Sequence, residues 1–268
     1  MTLHNAVKER LSKGLPTVGQ WVSLPVPAIV ELLATYQMDW LTLDTEHGAI
    51  DTDMLEHMVR AMKGTEVVPI VRVGGNDPVL IKRALDRGAF GIIVPLVNTP
   101  EQARAAVAAA KYPPDGIRGV AGTRVNRFGL DLADYFAQWN SQVLVICQIE
   151  TVEALQNVEA IAAVPGVDVL FIGPNDLSAA LNGFRQFDRP EFKNAVDRIL
   201  KATRQHRIAA GYMASSTEEV LERIDQGFGF VSNGTDARML AAGATASYTK
   251  IKAGLAERVP AYRIAGGS

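Results

Sequence analysis

Short apolar segments recur along the whole chain, and their lengths favour β-strands rather than helices. Eight of them are rich in branched aliphatic and aromatic residues: TVGQWV (17–22), DWLTLD (39–44), VVPIVRV (67–73), FGIIVPLV (90–97), VLVICQIE (143–150), DVLFIGP (168–174), AAGYMA (209–214) and FVSNG (230–234). Most positions in these segments are apolar, instead of every second one, which is typical of strands covered on both faces. The pattern predicts a buried parallel sheet.

Between these segments, apolar residues return three and four positions apart, as on one face of a helix. The clearest cases are PAIVELLATYQ, DMLEHMVRAMKG, DPVLIKRALDRG, EQARAAVAAAKY and VEALQNVEAIAAV. The predicted helix starts carry capping residues or proline, namely Asp51 or Thr52, Asn76 and Asp77 before Pro78, and Thr99 before Pro100. Glycines fit the predicted helix ends at positions 64, 88 and 227. Strands therefore alternate with helices.

Eight such units predict a closed (β/α)₈ barrel, with a doubly wound open sheet as the alternative. The chain has 268 residues, a length at which a barrel commonly forms one domain, and we expect a single domain over residues 1–268. The spacing breaks once, at about 112–142, where no strand is predicted. A segment of that length is usually a functional excursion or a small subdomain.

Composition and charge narrow the classes of partner. The 27 basic and 29 acidic residues give a net charge of −2, so no basic surface for nucleic acid or an anionic membrane is expected. No apolar stretch approaches the ~20 residues that span a bilayer, and the first ten residues lack the apolar core of a secretory signal. Cys147 is the only cysteine, which excludes an intramolecular disulfide and a thiolate cage. We expect a cytoplasmic protein whose partners are small molecules and copies of itself.

Polar residues cluster where the predicted strands end, which in a barrel is the active-site face. The apolar run of DWLTLDTEHG stops at Asp44 and is followed by Glu46 and His47; other strand ends carry Arg72, Gln148, Glu150, Asn175 and Asp176. Glu150 and Asp176 are candidate ligands of a hard cation such as Mg²⁺, which takes one or two protein carboxylates. The alternative is that Glu150 begins a helix and Asp176 caps one that starts at Leu177.

The remaining candidates also have two interpretations each. His47 lies three residues from Asp44, and Asp86 on the following helix is a second carboxylate that could approach it, as a general base requires. It could equally be a hydrogen-bonded structural histidine. Arg72 ends a buried strand, so it needs a substrate anion or an ion pair with Asp44 or Glu46. Gly173 and Pro174 precede Asn175 in a turn that either offers N–H groups to a carboxylate or is simply tight.

Five motifs in one order carry a family resemblance: DWLTLDTEHG, PIVRV with DPVLIKRALDRGAFGIIVPLV, YPPDGIRGV, QIET and FIGPNDLS. Together they resemble the metal-dependent class II pyruvate aldolases of the HpcH/HpaI family over nearly the whole chain. The resemblance implies a (β/α)₈ barrel and hexamers, as trimers of dimers that exchange C-terminal helices. It also implies that a divalent cation, Mg²⁺, Mn²⁺ or Co²⁺, is chelated by pyruvate or a related 2-oxo acid such as hydroxypyruvate.

Position by position, the resemblance implies a role for each candidate. Glu150 and Asp176 hold the cation, and Gln148 lies against that site. His47 is the catalytic histidine, and Asp44 and Asp86 position it. Arg72 lies beside the keto oxygen, and Gly173 with the turn through Pro174 and Asn175 holds the carboxylate.

The implied reaction is reversible aldol cleavage and addition of 4-hydroxy-2-oxo acids, with an aldehyde as the second substrate. The aldehyde is undetermined, because the excursion and the C-terminal segment are individual to this sequence; Arg124 and Arg127 could bind an acidic aldehyde or tie down the loop. A Schiff-base aldolase would need a lysine in one of the eight predicted strands, and none has one. No Gly-x-Gly-x-x-Gly turn for NAD follows the first strand. A catalytically inert barrel that binds 2-oxo acids is the remaining alternative.

Overall fold

Eight parallel strands close into a barrel in the computed structural model, which describes residues 2–259. The strands are β1 Thr17–Val22, β2 Trp40–Asp44, β3 Val68–Arg72, β4 Gly91–Val94, β5 Leu144–Ile149, β6 Val169–Ile172, β7 Ala209–Ala214 and β8 Phe230–Thr235. Each strand pairs with the next one along the chain, and β8 pairs with β1. The predicted (β/α)₈ barrel is confirmed, and the open-sheet alternative is wrong.

Helices precede, connect and follow the strands, and those between successive strands surround the barrel. They are α1 Ala6–Ser12, α2 Pro27–Ala34, α3 Thr52–Ala61, α4 Pro78–Asp86, α5 Pro100–Ala110, α6 Leu132–Gln142, α7 Val152–Gln156, α8 Val158–Ala162, α9 Pro174–Ala180, α10 Pro190–His206, α11 Thr217–Gln226 and α12 Asp236–Arg258. Asp51, Asp77 and Thr99 accept backbone N–H groups as N-caps, as predicted. One helix prediction is wrong, because VEALQNVEAIAAV forms two short helices that meet at Asn157.

The alternation of side chains along each strand separates two hydrophobic layers. One layer fills the barrel with large residues, among them Trp40, Ile70, Ile146 and Phe171. The indole of Trp40 stacks on the ring of Phe230, with 4.0 Å between the ring centroids. The intervening residues, such as Leu41 and Leu43, pack outward against the helices. A polar residue two positions beyond an inner-layer residue therefore faces the barrel axis at the carboxyl end.

The amino-terminal end of the barrel is covered by α1. The side chain of Asn5 donates hydrogen bonds to the carbonyl oxygens of Phe90 (3.0 Å) and Gln142 (2.9 Å). Val7 of α1 belongs to the inner hydrophobic layer, and Lys8 forms an ion pair with Asp168. The carboxyl ends of the strands therefore form the accessible mouth.

The excursion at 112–142 forms a 3₁₀ segment, Arg124–Gly129, and then α6. Its anchor is the buried guanidinium of Arg118, whose central carbon lies 4.7 Å from the ring centroid of Tyr112 and 4.5 Å from that of Trp139. The same guanidinium pairs with Asp86 at 2.7 Å. These contacts tie the excursion to the C-terminal end of α4.

The last helix, α12, leaves the barrel soon after it begins. Its first residue, Asp236, is buried and accepts hydrogen bonds from the backbone of Ser23 and Leu24, but residues 238–253 are all exposed. Among residues 2–259, no helix combines the length and the apolar character that crossing a bilayer requires. The exchange of C-terminal helices between subunits stays a prediction.

Candidate active site

Side-chain alternation delivers the polar cluster to the mouth of the barrel. At the carboxyl ends of four strands a polar residue or glycine follows an inner-facing position by two residues. These are Asp44 after Thr42, Arg72 after Ile70, Gln148 and then Glu150 after Ile146, and Gly173 after Phe171. Strand pairing sets Asp44 opposite Arg72 and Gln148 opposite Phe171. The predicted cluster at the carboxyl ends is therefore present as a structural unit.

Arg72 and Asp44 form a buried, two-pronged ion pair. Arg72 Nε donates to Asp44 Oδ1 at 3.0 Å and Nη2 to Oδ2 at 2.5 Å, while Nη1 lies 3.1 Å from Glu46 Oε2. The guanidinium also lies over the Trp21 ring, 5.0 Å from its centroid. Burial alone would raise the pKa of Asp44, but the hydrogen bonds and charge of Arg72 outweigh it and lower that pKa. The predicted structural ion pair is confirmed, and it fixes the positively charged guanidinium of Arg72 at the mouth of the barrel.

Replacing Asp44 by Asn should destabilise the protein at neutral pH, by ~3 kcal/mol, because the buried guanidinium loses its counter-charge. The pKa of Asp44 is lower in the folded state than its ordinary 3.8, so its stabilisation is present above that value and is lost as the pH falls through the folded pKa. The wild-type and variant free energies of unfolding, measured by urea titration, should converge below pH 3.8. Asp188→Asn, at a fully exposed position, is the control; a pH-independent difference for Asp44→Asn would contradict this account.

Three polar side chains converge around the bare backbone of Gly173. A methyl group at Gly173 would lie 3.0 Å from Gln148 Nε2, 3.0 Å from Glu150 Oε2 and 3.6 Å from Asp176 Oδ2. Gln148 donates a short hydrogen bond to Glu150 Oε2, and the backbone N–H of Leu96 donates to Glu150 Oε1 at 2.8 Å. The absence of a side chain at Gly173 leaves the space between the two carboxylates open.

The electrostatics of this cluster suit a cation. Burial raises the pKa of Glu150; the hydrogen bonds from Leu96 and Gln148 oppose the rise, while the charges of Asp176 and Glu46 add to it. The Oε1 atom of Gln148 is buried and accepts no hydrogen bond from residues 2–259. A divalent cation would stabilise the ionised form of Glu150 and give Gln148 Oε1 a partner. Carboxylate and amide oxygens are the ligand type that such cations prefer. The residues therefore fit a hard metal ion.

The protein alone offers too few ligands to enclose such an ion. Within residues 2–259, no group of three or more His, Cys, Asp or Glu side chains is arranged to hold a metal. Two carboxylates with remaining positions for water and substrate oxygens are typical of Mg²⁺ sites. The two alternative helix roles are not observed: Thr151 is the N-cap of α7, and α9 begins at Pro174, so Asp176 lies in its first turn rather than capping a helix at Leu177.

His47 and Asp86 are placed differently from the prediction. Asp44 Oδ1 accepts the backbone N–H of His47 at 3.2 Å, while the exposed imidazole has no hydrogen-bond partner in residues 2–259. Asp44 therefore fixes the loop rather than the ring. Asp86 ends α4, which runs antiparallel to the strands, so it lies at the opposite end of the barrel with Arg118. The predicted approach of Asp86 to His47 is wrong within one chain.

The two arginines of the excursion do not reach the mouth of their own barrel. Arg124 Nη1 donates to the carbonyl oxygen of Arg87, beyond the C-terminal end of α4, at 2.6 Å. Arg127 pairs with Asp131 at 3.2 Å. Within one chain, both arginines tie down the excursion, which was the alternative to binding an aldehyde.

Two contributors to the site were not singled out from the sequence. Leu96 adopts a left-handed backbone, with φ of 53°, to aim its N–H at Glu150, and side-chain patterns do not report backbone direction. Trp21 flanks Arg72 because Gly19 and Trp21 face the axis, which alternation within TVGQWV would have shown. Cys147, as expected, is buried in the core, and burial raises the pKa of its thiol to about 12.

The fold and the polar mouth together define a (β/α)₈-barrel enzyme. The sequence profile of the family described as HpcH/HpaI aldolase/citrate lyase matches residues 17–242, which is most of the chain. The chain therefore belongs to the HpcH/HpaI aldolase/citrate lyase family, and it is a lyase of the aldolase type.

Individual relatives agree with this assignment. A 5-keto-4-deoxy-D-glucarate aldolase of Klebsiella pneumoniae is 40% identical over 233 residues, covering 87% of this chain and 91% of the relative. The structure of an HpcH/HpaI aldolase/citrate lyase family protein of Burkholderia cenocepacia matches with a TM-score of 0.89 and 36% identity, covering 92% and 99% of the two chains. Citrate synthase SbnG matches with a TM-score of 0.83 and 31% identity, covering 91% and 96%.

Proposed function

We propose that the protein is a divalent-cation-dependent aldolase that cleaves and forms 4-hydroxy-2-oxo acids. Pyruvate, or a related 2-oxo acid such as hydroxypyruvate, is the donor, and an aldehyde is the acceptor. The observation that carries the proposal is the convergence of Gln148, Glu150 and Asp176 around the open position at Gly173. Glu46 pairs with Arg72, and its charge contributes to the raised pKa of Glu150. The ion pair around Arg72 and the acidic cluster around Gly173 are therefore electrostatically coupled.

Each side chain has a role that follows from its placement. When bound, the cation, Mg²⁺, Mn²⁺ or Co²⁺, supplies a Lewis acid to the keto group of the donor. Glu150 and Asp176 hold it, with Gln148 Oε1 as a further oxygen at the site. The guanidinium of Arg72, held by Asp44, favours the negative charge that develops on the keto oxygen as a proton leaves C3.

His47 is the proton carrier of this proposal. Its imidazole is exposed at the mouth, and the backbone hydrogen bond to Asp44 fixes the loop that carries it. The ring takes the C3 proton of the donor or serves the oxygen that derives from the aldehyde. The turn of Gly173, Pro174 and Asn175 holds the donor carboxylate.

We also propose that the protein assembles as a hexamer, a trimer of dimers. Support comes from the exposed run 238–253 of α12, which includes the apolar side chains of Leu240, Tyr248 and Ile251. Such a surface is normally covered in an oligomer. Light scattering on the purified protein measures the subunit number directly. We expect six subunits, and any other number would contradict this part of the proposal.

The proposed reaction is tested by incubating the protein with pyruvate or hydroxypyruvate, a panel of aldehydes and each cation, with products identified by mass. We expect condensation products that carry a 4-hydroxy-2-oxo acid. A protein that binds a 2-oxo acid and metal yet forms no product and exchanges no C3 protons would be the inert barrel instead.

Treatment with pyruvate and borohydride separates this mechanism from Schiff-base catalysis. None of the eight strands contains a lysine, so no amine is placed at the inner mouth. We expect the intact mass to stay unchanged, with a known Schiff-base aldolase as the positive control. A reduced adduct of pyruvate on any lysine would overturn the proposal.

A further inference from the structure

The loop that follows β4 contains a strained residue beside the acidic cluster. Leu96 has a left-handed backbone, with φ of 53°, which costs free energy for a residue with a side chain. Burial does not offset this cost, because the Leu96 side chain is 54% exposed, whereas its neighbours Pro95 and Val97 are buried. Strain of this kind persists only where the surroundings over-determine it, and it is concentrated at functional sites. The compensation for Leu96 therefore comes from its main chain.

The main chain of Leu96 bonds to one of the proposed cation ligands. Its N–H donates to Glu150 Oε1 at 2.8 Å, and a hydrogen bond to a carboxylate is roughly twice as strong as one between neutral groups. Pro95 has no N–H, so Leu96 carries the first main-chain donor after β4 ends at Val94. The loop thus brings a main-chain donor to the acidic cluster as soon as the strand ends.

Further hydrogen bonds join the same loop to the segment that carries Glu150. Asn98 Oδ1 accepts from the hydroxyl of Thr151 at 2.6 Å, and the carbonyl oxygen of Asn98 accepts from Asn157 Nδ2 at 2.8 Å. Gln102 Oε1, on α5, accepts from the backbone N–H of Asn98 at 2.6 Å. The loop is therefore fastened both to α5 and to the two ends of α7, which fixes its position relative to Glu150.

The two proposed cation ligands differ in how firmly they are held. Glu150 is buried, and both of its oxygens accept hydrogen bonds, Oε1 from Leu96 and Oε2 from Gln148. Asp176 is exposed, and its carboxylate accepts no hydrogen bond from residues 2–259. The Glu150 oxygen that lies 3.0 Å from the methyl position at Gly173 is Oε2, so this oxygen faces the gap. A ligand already held in its binding geometry loses less conformational freedom when the cation arrives.

We propose that Leu96 is a positioning residue of the cation site. Its N–H holds Glu150 Oε1, so that Oε2 faces the gap at Gly173 before a cation binds, and the left-handed turn presents that N–H. The inference rests on the proposed cation-dependent function and adds a main-chain group to its site. Because the role belongs to the N–H, the side chain at position 96 should have little influence on cation affinity.

The test removes the N–H alone. An ester in place of the amide between Pro95 and Leu96, introduced by incorporating the α-hydroxy analogue of leucine, keeps the side chain and replaces the N–H with an oxygen atom. Calorimetric titration with Mn²⁺ alone should give a Kd about 10- to 100-fold weaker than that of the wild-type protein, the usual effect of losing a group that supports a metal ligand. The stoichiometry reports the fraction of folded protein, so a purely structural defect would lower the stoichiometry and leave the Kd unchanged.

Two comparisons isolate the contribution of the N–H. The same ester at Val97, whose N–H donates to no carboxylate of residues 2–259, should leave the Kd for Mn²⁺ unchanged. Leu96→Ala keeps the N–H and removes most of an exposed side chain, so it should also bind Mn²⁺ like the wild-type protein.

Equal Kd values for the Leu96 ester and the wild-type protein would overturn the inference and leave the proposed function standing. A loss in Leu96→Ala or in the Val97 ester as large as that in the Leu96 ester would overturn it as well. A wild-type protein without affinity for Mn²⁺ would instead refute the proposed function.

Discussion

Replacing Glu150 by Gln should reduce aldol turnover and cation affinity by at least ~100-fold, because even residues that only support a metal ligand are worth 10- to 100-fold. The substitution keeps the shape of the side chain, and the amide oxygen can still accept from the N–H of Leu96, but the NH2 group replaces the oxygen that accepts from Gln148 Nε2. Asp176→Asn should act in the same direction. Calorimetric titration with Mn²⁺ and steady-state turnover measure the two effects.

The same Glu150 variant should be more stable than the wild-type protein when no metal is present, by ~0.5–2 kcal/mol at pH 7. The folded state raises the pKa of Glu150 above its ordinary 4.5. The ionised carboxylate therefore destabilises the folded state, and this cost develops as the pH rises from 4.5 through the folded pKa. The gain should therefore vanish toward pH 4. Glu153→Gln, exposed in the first turn of α7, is the control. Normal cation binding by Glu150→Gln would show that the ligand assignment is wrong.

Replacing His47 by Ala should slow deuterium exchange at C3 of pyruvate by ~10²–10⁴-fold, the usual contribution of a general base. Stability should change by less than ~0.5 kcal/mol, because the imidazole is exposed and holds no other side chain. Cation and pyruvate should still bind. The control is His57→Ala, at an exposed position of α3 outside the site, which should leave the exchange rate unchanged.

The outcome with aldehyde present decides which proton His47 moves. If the variant exchanges deuterium normally but fails to form product, the histidine serves the aldehyde-derived oxygen instead. A loss of only a few-fold in both measurements would make His47 a structural residue.

The sequence predicted the barrel and the position of the site because both depend on strand periodicity. Alternate residues of a strand face the barrel axis, so Asp44 and Glu150 lie on the same face as the buried Trp40 and Ile146. Because they lie four residues further along, they are at the carboxyl end of the barrel. Parallel strands then bring those ends together, so the acidic cluster needs no long-range information beyond the closure of the sheet.

Features that depend on helix direction and loop conformation were not predictable in this way. Asp86 lies only a few residues from the strand that follows it, yet the antiparallel course of α4 carries it to the far end of the barrel. The direction of the Leu96 N–H depends on a left-handed residue, which side-chain patterns do not reveal. Prediction from the sequence therefore placed the polar side chains of the proposed donor site at the mouth and missed these two features.

Proton exchange at C3 of pyruvate, followed by NMR in deuterated water without any aldehyde, tests the central claim most directly. After removal of bound metal with a chelator, the wild-type protein should exchange no faster than buffer, and Mg²⁺, Mn²⁺ or Co²⁺ should restore exchange, but not in Glu150→Gln or Asp176→Asn. Full exchange by the metal-free protein, or restoration by a cation in both variants, would contradict the proposal that a cation held by Glu150 and Asp176 makes this barrel an aldolase.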